Sequence, residues 1–183
     1  MRPLPTALPD VRLFALDRRA DERGWLCESG RADLLLREGL PVAFAQENLS
    51  RSEQGVLRGL HFQERQAQGK LLLVLVGEIF DVAVDLRAGS PTRGRHAAMR
   101  LSAQEPTLLW VPPGFAHGFY VTQGPALVSY KLTAAWAPAW ERCLAWDDPE
   151  LGIDWPLTQP PLLSERDRAG QAWRDLAPWS ETP

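Results

Sequence analysis

The chain is poor in cysteine and histidine and nearly neutral, and each shortage closes off a class of function. Two cysteines, Cys27 and Cys143, in 183 residues make neither a disulfide framework nor a CxxC metal signature, so both read as small packed residues. Lysine and arginine total 20 against 23 acidic residues, a net charge of −3, which excludes general affinity for nucleic acid or a membrane surface. Any anionic ligand must then be held by a local cluster of cations. No segment approaches the run of about 20 apolar residues that a membrane helix needs, and the opening MRPLPTALPDVRLF has no signal-peptide core. A soluble, cytoplasmic protein is expected. Repeats, low-complexity tracts and Gly/Ser linkers are missing too, so residues 1–183 read as one domain, and 45% hydrophobic content suffices for one core.

What is present has a β texture. Residues 31–38, RADLLLRE, predict a helix stopped by Gly39 and Pro41. From there to Thr133 short apolar runs alternate with Gly and Pro, without intervening helices, which predicts a sandwich or barrel rather than a βαβ sheet. QGKLLLVLVGEIFDVAVDLR reads as two strands of a hairpin turning at Gly77-Glu78. The stretch SERDRAGQAWRDL predicts a helix capped by Ser164. Six of the eight tryptophans, Trp136 to Trp179, fall in the last third, which suggests a packed, loop-rich C-terminal region.

The three histidines differ in setting. His96, in TRGRHAAM, opens a strand from a polar turn and reads as solvated. His61 and His117 each interrupt an apolar strand, in LRGLHFQ and PPGFAHGF. A buried histidine or arginine must find partners, since desolvation is costly. Strict alternation would put Arg58 and His61 of LRGLHFQ on opposite faces. If both serve one pocket, the strand must be irregular, and Gly59 is the place for a bulge.

PPGFAHGF resembles the second motif of the cupin barrels. The matching first motif would need His-x-His and a glutamate, whereas His61-Phe62-Gln63 offers one histidine. Two isolated histidines are too few ligands for a transition metal, so no metal and no cofactor are expected.

The motifs DERG (21–24), QEN (46–48), LRGLHFQ (57–63), QGK (68–70), GEIFDVAVDLR (77–87), PPGFAHGF (112–119), YK (130–131), WDDPELGIDWP (146–156) and LSERD (163–167) resemble those of the dTDP-4-dehydrorhamnose 3,5-epimerases, in order and along nearly the whole chain. The resemblance implies an all-β fold, a cupin-like double-stranded β-helix with a few short peripheral helices. It also implies a cofactor-independent isomerase acting on a dTDP-4-keto-6-deoxyhexose in dTDP-L-rhamnose or related deoxysugar biosynthesis. The C4 ketone acidifies the protons on C3 and C5. One side chain removes a proton, a second stabilises the enolate, a third returns a proton from the opposite face, and cations hold the diphosphate.

The resemblance implies roles for particular residues. His61 is the base, with Asp167 as its partner and Asp81 as the competing candidate. Lys70 is the enolate stabiliser and Tyr130 the acid. Arg23 and Arg58 match diphosphate positions, and Gln46, Glu47 and Asn48 match the segment lining the nucleotide site. Glu28, His117 and Glu141 match further ligand-binding positions. Trp136 stands where the family commonly has a tyrosine, Arg166 where a lysine is usual, and Trp25-Leu26-Cys27 where aromatic residues are common. These departures bear on nucleotide contacts and on whether both carbons are epimerised. A homodimer is implied, with strand exchange between subunits and the Arg23–Glu28 segment reaching into the partner's pocket. The rival expectations are a single-carbon epimerase or keto-isomerase, a non-catalytic nucleotide-sugar binder, and a metal-dependent cupin oxygenase.

Overall fold

The computed structural model describes residues 1–180. In chain order its strands are β1 (Arg2–Leu4), β2 (Arg12–Ala15), β3 (Arg18–Asp21), β4 (Gly24–Cys27), β5 (Gln46–Ser52), β6 (Leu57–Gln63), β7 (Lys70–Asp85), β8 (His96–Ser102), β9 (Thr107–Val111), β10 (Phe115–Leu132) and β11 (Glu141–Cys143). Helices are few and short: α1 (Ala32–Arg37), α2 (Glu165–Arg168) and a 3₁₀ turn at Trp173–Asp175. No helix among the described residues is long and apolar enough to cross a membrane.

Two long strands, β7 and β10, define the architecture. Their first and second halves pair with each other antiparallel throughout, and each half recruits a different set of neighbours. The Lys70 end of β7 pairs with β9, and the Leu132 end of β10 with β5, making one sheet that continues through β2 to β1. The Asp85 end of β7 pairs with β8, and the Phe115 end of β10 with β6, which carries β11 at its edge. The two sheets face each other as a jelly-roll sandwich, the all-β class expected from the strand rhythm. β3 and β4 form a separate, exposed hairpin.

The bend between the sheets corrects one expectation. Gly77-Glu78 is not a hairpin turn but the elbow of a single 16-residue strand. Gly77 adopts φ +76, and a Cβ there would meet the Gln123 carbonyl oxygen of β10 at 2.5 Å. A bend and a turn both need a glycine between apolar runs; only the partner strand distinguishes them. Inward-facing parity changes across the elbow, from Leu72 and Val74 before it to Ile79 and Ala83 after it, and all four join the core between the sheets.

Two outer layers complete the packing. α1 begins and ends where the sequence predicted, with Gly39 at φ +69 just beyond it, and its Leu35 packs with Phe14, Leu71 and Trp110 on the first sheet. The C-terminal third covers the second sheet with Leu144, Leu151, Trp155 and Leu176 against Leu57, Leu60 and Val84. Each such fully buried side chain contributes roughly 1.5–3 kcal/mol. Ser164 caps α2 as predicted, accepting from the Asp167 amide, but the helix is four residues rather than the longer one expected. Gly170 lies so close to Ala145 that a Cβ would meet its Cα at 2.7 Å, and this backbone contact ends the helical path. His96 is half-buried rather than solvated, and its pKa is lowered by that burial against a backbone hydrogen bond at Leu151.

Candidate active site

The open end of the sandwich interior holds a pocket of two lobes, about 100 and 60 Å³. His61, Lys70 and Tyr130 line both lobes and so stand at their junction. One lobe adds Arg58, His117 and Phe119. The other adds Asn48, Gln63, Gln68, Trp136 and Glu141.

A bulge in β6 makes this convergence possible. His117 pairs with His61, and Phe119 pairs with Arg58. Two steps on β10 thus face three on β6, so Gly59 and Leu60 share the place opposite Gly118. The extra residue brings Arg58 and His61 to the same face, as one shared pocket requires. Glycine is obligatory at the crossing. Gly59 has φ +118, and a Cβ on it would lie 2.6 Å from the Gly118 Cα.

His61 Nε2 lies 2.6 Å from Asp167 Oδ1, delivered by α2 from 106 residues away. That carboxylate also accepts from the Gly59 amide at 3.1 Å and the Ser164 hydroxyl at 2.7 Å. Burial alone would raise the Asp167 pKa, but the bonds from His61, Ser164 and Gly59 outweigh it and lower it to about 2. A carboxylate at Nε2 fixes the ring tautomer and leaves Nδ1 as the free nitrogen. Asp81, the competing partner, bonds His117 instead, at 2.9 and 3.0 Å. Both members of that pair are buried, and burial pushes the His117 pKa down, against the pull of Asp81.

Lys70 is 8% exposed, with its Nζ donating to the His61 carbonyl oxygen at 3.4 Å. Burial lowers its pKa to about 8, opposed by the charges of Asp81 and Glu141. Tyr130 faces Asn48 across the β5–β10 pair. Arg58 is oriented by its Nε bond to Ser52 Oγ at 2.9 Å. At the rim, Glu141 accepts from Trp136 Nε1 at 2.6 Å and from Arg166. Burial would raise the Glu141 pKa, but these bonds lower it. Gln46 accepts from the Trp136 amide and donates to Asn48, both at 2.8 Å.

Three of the residues named from the sequence lie elsewhere. Alternation along β5 turns Glu47 to the outer face, where it binds Lys131 and Ser129 at 2.8 and 3.0 Å. Arg23, at the tip of the β3–β4 hairpin, is 84% exposed and pairs with Asp21. Glu28 follows the hairpin and pairs with Arg31. Sequence reading had missed Gln63, Gln68, Ser52 and the hold of Ser164 on Asp167. Gln63 and Gln68 lay inside recognised motifs, and the capping role of Ser164 was the only sign that it touches the Asp167 side chain.

Comparison with known proteins is consistent along the chain. The family model described as dTDP-4-dehydrorhamnose 3,5-epimerase matches residues 5–175. The enzyme of that name from Pseudomonas aeruginosa is 53% identical over 176 residues, 96% of this chain and 97% of that one. Among solved structures, the 3,5-epimerase RmlC of Legionella pneumophila in complex with dTDP-4-keto-L-rhamnose superposes with a TM-score of 0.92. It is 42% identical, over 96% of this chain and 94% of that one. ChmJ of Streptomyces bikiniensis, a 3'-monoepimerase in complex with dTDP-quinovose, has a TM-score of 0.86 at 32% identity, over 94% and 87% of the two chains. Matched from end to end in sequence and in its cupin-like fold, the chain belongs to the dTDP-4-dehydrorhamnose 3,5-epimerase family of isomerases.

Proposed function

We propose that this chain epimerises dTDP-4-dehydro-6-deoxy-D-glucose at C3 and C5 through a C4 enolate, the step that leads toward dTDP-L-rhamnose. The observation that carries the reading is the junction of His61, Lys70 and Tyr130 between two lobes. His61 takes the proton on Nδ1, while Asp167 on Nε2 stabilises the imidazolium that forms. Lys70 meets the charge that develops on the C4 oxygen, in a buried setting where that charge matters more than in water. Tyr130 returns a proton from the face opposite His61. Arg58 offers a guanidinium fork to the diphosphate, and Trp136 offers a flat wall to the base or sugar. No metal or cofactor enters these steps.

The same reading makes the protein a homodimer in which the β3–β4 hairpin crosses to the neighbouring subunit. This supplies a use for Arg23 and Glu28, which stand away from their own pocket, and cover for the exposed Trp25 and Leu26, 51% and 66% accessible. Full activity in a monomer would overturn it. Two free thiols, Cys27 and Cys143, suit a reducing, cytoplasmic setting.

The test is NMR of the dTDP-4-keto-6-deoxyglucose substrate incubated with the protein in heavy water. Deuterium at C3 and C5 of the product is expected. A C3-only reaction is the second reading, favoured by the likeness to a 3'-monoepimerase and by Trp136; label at C3 alone would establish it. Binding without label would leave a nucleotide-sugar binder.

A further inference from the structure

His61 has a neighbour that proton transfer does not use. Cys143 stands directly opposite it across the β6–β11 pair, so both side chains leave the sheet on the same face. Cys143 Sγ lies 3.9 Å from Asp167 Oδ1, the oxygen that holds His61 Nε2 at 2.6 Å. An imidazole nitrogen, the thiol sulfur and a carboxylate oxygen thus fall within 4.8 Å of one another. They come from β6, β11 and α2, so no spacing motif announces them, and a search for paired cupin histidines passes over the set.

Nitrogen, sulfur and carboxylate oxygen together are a donor set for zinc and its softer relatives, not for magnesium or calcium. In a tetrahedral zinc site, bonds of about 2.0–2.3 Å put neighbouring donors roughly 3.3–3.8 Å apart. The sulfur–carboxylate separation already approaches that value, and the His61–Asp167 separation must open by less than about 1 Å. His61 has room for this movement, because its side chain is 25% exposed toward the open lobes, whereas Asp167 is 5% exposed.

We propose that His61, Cys143 and Asp167 form an inhibitory site for a borderline-soft divalent cation of the zinc class, which silences the base by binding it. The inhibitory half rests on the role given to His61 above. The cation takes the Nε2 lone pair, and the ring proton that faced Asp167 shifts to Nδ1, the nitrogen that would otherwise accept the substrate proton. The thiol proton is released to solvent as the sulfur–metal bond forms, and Asp167 binds as the carboxylate it already is. Burial, reinforced by the Asp167 charge, pushes the Cys143 thiol up to about 12, so without metal it stays protonated and inert. Metal must displace that proton, and binding therefore tightens as pH rises.

The presence of two thiols makes the test clean. Metal-stripped protein is titrated with cadmium chloride, following the ultraviolet thiolate-to-cadmium band, and proton exchange is assayed against zinc chloride. One cadmium per chain is expected, with the band retained in Cys27→Ser and lost in Cys143→Ser. The zinc concentration for half-inhibition, each protein normalised to its own uninhibited rate, should rise at least about tenfold in Cys143→Ser. Magnesium should not inhibit. Should Cys143→Ser fail to fold, anomalous diffraction from zinc-soaked crystals of the unmodified chain reads the site directly, as a peak bonded to all three residues. A band that survives Cys143→Ser, a zinc peak elsewhere, or no band at all would overturn the proposal. A peak in place with exchange unimpaired would leave the cation site standing and remove both the inhibition and His61 as base.

Discussion

Replacing Asp167 by asparagine separates two things a carboxylate can do for a histidine: set its tautomer and stabilise its charged form. In the Ser-His-Asp triad the same change leaves the histidine in the wrong tautomer, and kcat falls about 10⁴-fold. Here the surroundings oppose that outcome. Oδ1 accepts from both His61 and the Gly59 amide, while Oδ2 faces the Ser164 hydroxyl. An asparagine with its oxygen toward Gly59 keeps the Nε2–H donor of His61 satisfied, and its NH₂ can donate to Ser164 Oγ, which has two lone pairs. The tautomer survives, and only the charge is lost. Two unit charges about 4 Å apart at an effective dielectric near 20 interact by about 4 kcal/mol. Solvent at the quarter-exposed His61 reduces that figure, so kcat should fall about 10²- to 10³-fold with KM changed less than about threefold. Steady-state kinetics of Asp167→Asn, with and without Ser164→Ala, checks both halves. A fall of 10⁴-fold or more in the single variant would show that Gly59 and Ser164 do not hold the amide. Activity within threefold of the unmodified protein would remove Asp167 from the mechanism.

Other outcomes follow from the same geometry. Because Asp167 titrates near 2 in the fold and near 3.8 unfolded, its stabilisation, about 2 kcal/mol, is present above pH 4 and lost as pH falls toward 2. Denaturant melts of the unmodified chain and Asp167→Asn should converge over that window. Lys70 is shifted the other way for a base: burial of its ammonium is penalised fully below pH 8, and the penalty disappears as pH rises from about 8 to 10.5. Lys70→Met should therefore lose activity yet gain about 1–3 kcal/mol at pH 7 by denaturant melts, and kcat of the unmodified enzyme should decline above about pH 8. Gly59→Ala should destabilise by more than about 2 kcal/mol, since the added methyl meets the Gly118 backbone; a normal melting curve would refute the close crossing. Trp136→Phe loses its bond to Glu141 and should raise KM several-fold with a smaller effect on kcat.

The fold class was legible because glycine and proline punctuate apolar runs too short for helices, and because those runs recur without helical segments between them. The bulge was legible for a different reason: two polar residues three positions apart in one strand cannot share a face unless an extra residue intervenes, and only Gly59 could supply it. The elbow at Gly77 was not legible, since a hairpin and a bent strand place the same residues at the same points. Within QEN, the motif marked three residues, but pleating sends Asn48 and Gln46 toward the pocket and Glu47 away from it. The choice between Asp81 and Asp167 as partner of His61 needed the tertiary path, because one lies twenty residues away in sequence and the other 106. Burial of His117 beside Asp81 resolved it.

The C-terminal layer described above has a temporal consequence. The segment that supplies Asp167 is also part of the cover over the outer face of the second sheet. During synthesis, a chain stopped short of Ser164 would have its strands but not the His61–Asp167 pair, and would show bare apolar surface where Trp173 and Leu176 should lie. The partner of His61 and the last of the apolar cover therefore arrive together, once residues 164–176 have been made.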